Sequence, residues 1–82
     1  MEKQTDRIAD YLKSHKGGLT RGEAFGLLLI ANFPARVFDM KESGYVFTKI
    51  SEKNVTGTGH HARWYLEYDP KDPEWKPWNT NG

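Results

Sequence analysis

Ile8, Tyr11 and Leu12 stand at i, i+3 and i+4 in a polar stretch, a spacing that predicts a helix from about Thr5 to about His15. Thr5 or Asp6 is its expected N-cap. Lys13, His15 and Lys16 gather beside the negative pole of that helix, and Gly17-Gly18 stops it. Leu19 then leads into Thr20-Arg21-Gly22-Glu23, a capping box in which Thr20 caps and Glu23 reaches back to the Thr20 amide. On this reading Leu19 staples against Ala24. Ala24, Phe25 and Leu28 make the buried face of a short second helix, which breaks between Leu29 and Asn32. Asn32 is the expected N-cap of a third helix, with Pro34 tolerated in the first turn because its missing N–H is not needed there. Phe33, Val37 and Met40, at i, i+4 and i+7, form the inward stripe, and Arg36 pairs with Asp39 on the adjoining face. Ser43-Gly44 ends this helix.

From Tyr45 the period changes to alternation. Tyr45 to Lys53 reads as a strand, Val55 to Gly59 as a glycine-containing turn and His61 to Tyr68 as the returning strand. Ala62, Trp64, Leu66 and Tyr68 share the expected core face, and Arg63, Tyr65 and Glu67 share the other. Three of the four prolines fall after Tyr68, which excludes a helix or a central strand there and predicts an extended tail. The expected organisation is therefore a domain over residues 1–68 and a tail over 69–82. The fold class is α+β: three helices, then a two-stranded antiparallel β-hairpin, then the tail. Trp75 and Trp78 are the anomaly in that tail, placed either to fold back onto an apolar groove or to contact a partner.

The order helix, short helix, helix, two-stranded ribbon is the winged-helix arrangement. The segment Leu19-Thr20-Arg21-Gly22-Glu23-Ala24-Phe25, followed by Phe33-Pro34-Ala35-Arg36-Val37-Phe38-Asp39-Met40 and Gly44-Tyr45, resembles the small winged helix-turn-helix domains of phage and prophage proteins. In those a threonine-capped helix with Glu-Ala-Phe precedes an Ala-Arg-Ile-x-Asp-Leu recognition helix and a Gly-Tyr strand start. The resemblance spans about Thr5 to Tyr68. It departs at Leu29, where the family has a glycine between helices, and at Glu42-Ser43, where the family has further basic residues. It implies a cytoplasmic protein that binds double-stranded DNA, a transcriptional regulator or an architectural factor. The recognition helix, about residues 32–43, would enter the major groove, and the wing, about 53–61, would lie on the backbone.

Under that implication Asn32, Ala35 and Arg36 are the base-reading candidates, with Phe38 beside them; the planar fork of Arg36 matches guanine. The phosphate candidates are Thr20, Arg21 and Lys41 on the helices, and Lys49, Lys53, Thr56, Thr58, His60 and Arg63 on the hairpin. Amides around Thr20 add a helix N-terminus suited to an anion. Trp75 and Trp78 are the candidate contacts for a homodimer or a larger protein partner. The alternative reading is a protein-binding module built on the same scaffold, favoured by Asp39 and Glu42 on the third helix and by the tryptophans of the tail.

Composition narrows the rest. The chain has 82 residues, is 37% apolar and has a formal net charge of +1. Its core must be small, and any nucleic-acid binding must come from local clustering of cations. It has no cysteine, so neither a disulfide nor a thiolate metal site is available. His60 and His61 are adjacent and point to opposite faces of a strand, which argues against shared metal ligation. No signal peptide or membrane span is visible in the pattern. Thr56-Gly57-Thr58-Gly59 lacks the lysine of a phosphate-binding loop. No nucleophile stands beside a base at a telling spacing, so no catalytic residue, cofactor, metal or small-molecule ligand is expected.

Overall fold

The computed structural model describes residues 3–77. Helix α1 runs Gln4–Ser14, strand β1 Leu19–Thr20, helix α2 Arg21–Leu28, helix α3 Phe33–Glu42, strand β2 Val46–Lys53 and strand β3 His60–Tyr68. The three helices and the antiparallel β2–β3 hairpin are those expected from the sequence. β1 was not foreseen. It pairs antiparallel with β3, Leu19 opposite Trp64 and Thr20 opposite Arg63, giving a three-stranded sheet of order β1-β3-β2. Two residues are too few to carry a visible period-2 signal, and their pairing is non-local.

Each helix buries a narrow stripe. Ile8 and Leu12 from α1, Ala24 from α2, and Phe33, Val37 and Met40 from α3 meet Leu19, Ile30, Tyr45 and Leu66 in one core. Trp64 packs at its margin, its indole edge-on to both Phe33 and Phe47 with ring centroids 6.3 Å away in each case. Leu19 and Ala24 are both fully buried in this cluster, as a staple across the α2 N-terminus requires. The capping box is complete: the Glu23 amide donates to Thr20 Oγ1 and the Thr20 amide to Glu23 Oε1, each at 3.1 Å.

Five local expectations are corrected. α1 begins one residue early, with the Arg7 amide bonded to the Lys3 carbonyl at 3.1 Å. Lys3 is therefore the N-cap, without a side-chain cap, and Thr5 and Asp6 lie inside the first turn. Asn32 occupies the α3 N-cap position but makes no capping hydrogen bond. Phe25 is exposed; the inward arc of α2 is Ala24 and Leu28, and the core place falls instead to Ile30 beyond the helix. Tyr68 is exposed too, because the register shifts between Val46 and Phe47, pairing these with Tyr68 and Leu66 and skipping Glu67. The chain after Tyr68 turns back rather than running extended. Asp69 is buried and ion-paired with Lys13 at 2.9 Å, the Asp72 amide donates to the Asp69 carbonyl, and Trp75 packs against the core. Trp78 lies outside the described residues.

Candidate functional site

The capping box fixes where α2 starts, and the β1–β3 pairing fixes β3 beside it. Between them lies a cleft of about 590 Å³, bounded by Thr20, Arg21 and Gly22 at the head of α2 and by Pro34 in the first turn of α3. Its far wall is the hairpin, from Lys49 and Trp64 up to Asn54, His60 and His61. None of the lining residues is a carboxylate.

The arginine and lysine lining this cleft, Arg21 and Lys49, make no ion pair among the described residues. Lys49 lies opposite Trp64 in the sheet, and its ammonium sits 5.3 Å from the indole centroid; Lys41, from α3, sits at 5.3 Å from the same ring. One indole thus ties a cation of the third helix to a cation of the hairpin through cation–π attraction. Among the described residues Arg21, Lys41, Lys49 and Lys53 make no ion pair, whereas Lys13, Arg36, Arg63 and Lys71 do.

The hairpin tip is internally ordered. Asn54 Nδ2 donates to the Thr58 carbonyl at 2.8 Å, and the Thr56 and Thr58 hydroxyls share a hydrogen bond at 3.1 Å. The His61 ring bridges Asn54 Oδ1 at 2.6 Å and Glu52 Oε1 at 3.0 Å. Arg63 Nε donates to both Glu52 oxygens, at 3.0 and 2.9 Å, and this bond holds the Glu52 carboxyl below its ordinary value. The remaining guanidinium nitrogens of Arg63 reach Glu23 at 2.9 and 3.3 Å and the Gly17 carbonyl at 3.0 Å. A continuous chain of polar contacts therefore runs from the tip, through Glu52 and Arg63, to the cap of α2.

The expected site residues divide accordingly. Arg21, Lys49 and His60 line the cleft, Lys41 borders it through Trp64, and Lys53, Thr56 and Thr58 lie on the hairpin at or near its tip. Two phosphate candidates are corrected. Thr20 is buried with its hydroxyl spent on the cap, and the Arg63 guanidinium is occupied by two carboxylates and a carbonyl. The expected anion site at the Thr20 amide is likewise filled by the Glu23 carboxylate of the chain itself. On α3, at about 100° per residue, Pro34 and Lys41 lie on the flank toward the hairpin and Arg36 on the opposite one. The Arg36 guanidinium pairs with Asp39 at 3.1 Å and is not brought to the cleft. Asn32 is exposed, Ala35 half-buried and Phe38 exposed.

Two participants escaped sequence reasoning: Trp64, taken there only as a core residue, and Asn54, the latch of the tip. Asn54 stands five residues before Gly59, whose carbonyl accepts the Asn54 amide at 3.1 Å. An asparagine opening a glycine-bearing turn is a recognisable signal for such a latch.

A family model described as a winged helix-turn-helix domain matches residues 3–69. No curated protein and no solved structure matches the chain.

Proposed function

The chain belongs to the winged helix-turn-helix domain family, and from that premise we propose that it binds double-stranded DNA with the cleft between α2, α3 and the hairpin wing. One observation carries this reading: a cleft lined by cations and neutral groups with no carboxylate, in a molecule whose other cations include four already committed to ion pairs. Phosphates are recognised by unpaired Lys and Arg. Arg21, Lys41 and Lys49 would take one strand, and Lys53, His60 and the Thr56–Thr58 tip would follow the backbone along the wing. Asn32 and Ala35, at the leading end of α3, would meet base edges, whereas Arg36, held by Asp39 on the flank away from the cleft, would stay outside this contact. The role proposed is that of a transcriptional regulator or an architectural factor of the phage type, acting in the cytoplasm; this rests on the resemblance of the Thr20–Phe25 and Phe33–Tyr45 segments.

The test is a titration of isotopically labelled protein with a mixed-sequence duplex at low salt, followed amide by amide. Shifts should concentrate on Arg21, Asn32 to Lys41 and Lys53 to His61, and fade as salt rises. Unmoved amides there at millimolar duplex would sink the reading and favour a protein ligand for α3, where Asp39 and Glu42 give the helix an acidic edge.

A further inference from the structure

The wing tip has no apolar support. Val55 to His60 are all exposed, and the order of the tip comes from hydrogen bonds that converge on Asn54. The Asn54 amide donates to the Gly59 carbonyl at 3.1 Å, and the Gly57 amide donates to the Asn54 carbonyl at 2.9 Å. Asn54 Nδ2 donates to the Thr58 carbonyl at 2.8 Å. That last bond fixes which way the side-chain amide points, since a flipped amide would set its oxygen against the Thr58 carbonyl. Gly59 leaves it room: a Cβ there would fall 3.2 Å from Asn54 Nδ2. The remaining atom, Asn54 Oδ1, can only accept, and it faces His61 Nδ1 at 2.6 Å. On the other side of the ring His61 Nε2 faces Glu52 Oε1 at 3.0 Å. Arg63 holds that carboxyl below its ordinary value, so it too is only an acceptor.

A neutral imidazole has one N–H. It can serve one of these two oxygens, and its lone pair then confronts the other. Only the imidazolium serves both. We infer that the wing tip is a proton-gated latch, closed by the doubly protonated ring of His61 between Asn54 and Glu52 and opened when that ring loses a proton. The charged groups about the ring come from three elements. Glu52 stands opposite it on β2, and Arg63, two residues along β3, shares that carboxylate. From α2, Glu23 is bonded to the same guanidinium, and Arg21 lines the cleft together with the ring, as do His60 and Lys49 of the hairpin. The residue that α3 adds to this lining, Pro34, is uncharged. The closed latch holds one proton more than the open one. It therefore tightens as pH falls through the span in which an imidazole titrates and loosens as pH rises. The consequence for binding rests on the DNA reading: a closed tip holds Lys53 and the Thr56 and Thr58 hydroxyls in place along the backbone, with less ordering left to do on contact.

The experiment measures 15N order parameters of the free chain at about pH 8 and about pH 5, the limits between which an imidazole changes charge. Wild type, H60Q, H61Q and N54A are compared. The amides of Thr56 to Gly59 should stiffen from below about 0.6 to about 0.85 as pH falls in the wild type and in H60Q. H61Q and N54A should show no such change. In N54A the ring still gains its proton but has no side chain to hold, so a response that persists there means that charge alone acts, and overturns the latch. A wild-type tip equally stiff at both pH values overturns it as well. Duplex affinity at constant ionic strength is then compared in an H60Q background, so that this phosphate candidate adds no proton of its own. Affinity should rise about threefold to tenfold between those pH values, the scale of one hydrogen bond, and the rise should be absent once N54A or H61Q is added. Binding that ignores pH while the tip stiffens overturns the part of the latch in DNA recognition. A tip that stiffens while no variant binds the duplex at either pH upholds the latch and sinks the DNA reading.

Discussion

Gly18 and Gly57 both have positive φ, +73° and +84°, but only one of them is hemmed in. A Cβ on Gly57, at the wing tip, meets nothing within 4 Å; on Gly18 it falls 2.8 Å from the Trp64 carbonyl and 2.9 Å from the Tyr65 ring. Gly57→Ala should therefore cost only the left-handed strain, about 1 kcal/mol. Gly18→Ala should cost clearly more, because the obstacle is backbone of the strand that β1 joins. Thermal melts of the two variants side by side decide this, and equal costs would mean that β1 can peel away from β3 freely. Arg63 poses the opposite problem, one side chain serving two carboxylates. Arg63→Ala should lower stability by about 1 kcal/mol once solvent screening is allowed for, or several degrees in a domain of this size. The Glu52 carboxyl is held below its ordinary value by Arg63. Its contribution is therefore present above the ordinary carboxylate range and lost as pH falls through the lowered value, below about pH 4. Lys13 behaves in the reverse sense. The Asp69 bond raises its pKa, so its contribution is complete below the ordinary lysine range and lost as pH rises through the raised value. Melting curves should thus lose part of their acid dependence in Glu52→Gln and part of their alkaline dependence in Lys13→Met.

Helix α3 and the wing behave as one unit because Trp64 holds a lysine from each, 5.3 Å from its ring in both cases. If that coupling positions the two cations for one strand, Lys41→Gln and Lys49→Gln should be non-additive in DNA affinity. The non-additivity should vanish in a Trp64→Leu background while persisting in Trp64→Phe, which keeps an aromatic face. A purely structural Trp64 would change melting temperature in both backgrounds and leave the two lysines additive throughout. The arrangement also shows what was readable beforehand. The stripe Phe33, Val37, Met40 and the Thr20–Glu23 box were legible because each signal lies within one or two helical turns. The place of Trp64 was half legible: alternation put it on the core face, yet which cations reach it depends on the packing of α3 against the sheet. Arg63 was misread as a free cation for the same reason, since Glu23 lies forty residues earlier. Phe25 was misread because an eight-residue helix has too few turns to average out one misplaced aromatic.

Across the whole molecule the net charge of +1 conceals a separation. Asp6, Asp10, Asp69 and Asp72 gather with Lys13 and Lys71 in one hollow against α1, while the carboxylate-free cleft has Arg21 and Lys49 in its lining. The hollow beside α1 thus holds four carboxylates, whereas the cleft beside the wing is lined by none and its Arg21 and Lys49 make no ion pair among the described residues. Binding driven by phosphate contacts releases counterions, so the logarithm of affinity should fall linearly with the logarithm of salt. With contacts from Arg21, Lys41, Lys49 and Lys53 the slope should be about −3 to −4, each contact adding roughly −0.9. Lys49→Gln should make that slope shallower by about one unit. Lys16→Gln should leave it unchanged, because Lys16 lines a different groove, between α1 and the sheet. Arg63→Gln is the sharpest comparison. It removes the same formal charge as Lys49→Gln, so a response to overall charge alone would make the two slopes shift together. A response to unpaired cations in contact with phosphate would move the slope for Lys49→Gln and not for Arg63→Gln, whose guanidinium is already held by Glu23 and Glu52. Salt titrations of the four proteins on one duplex separate these outcomes, and equal shifts for Lys49→Gln and Arg63→Gln would remove the cleft from its proposed place as the DNA-binding surface.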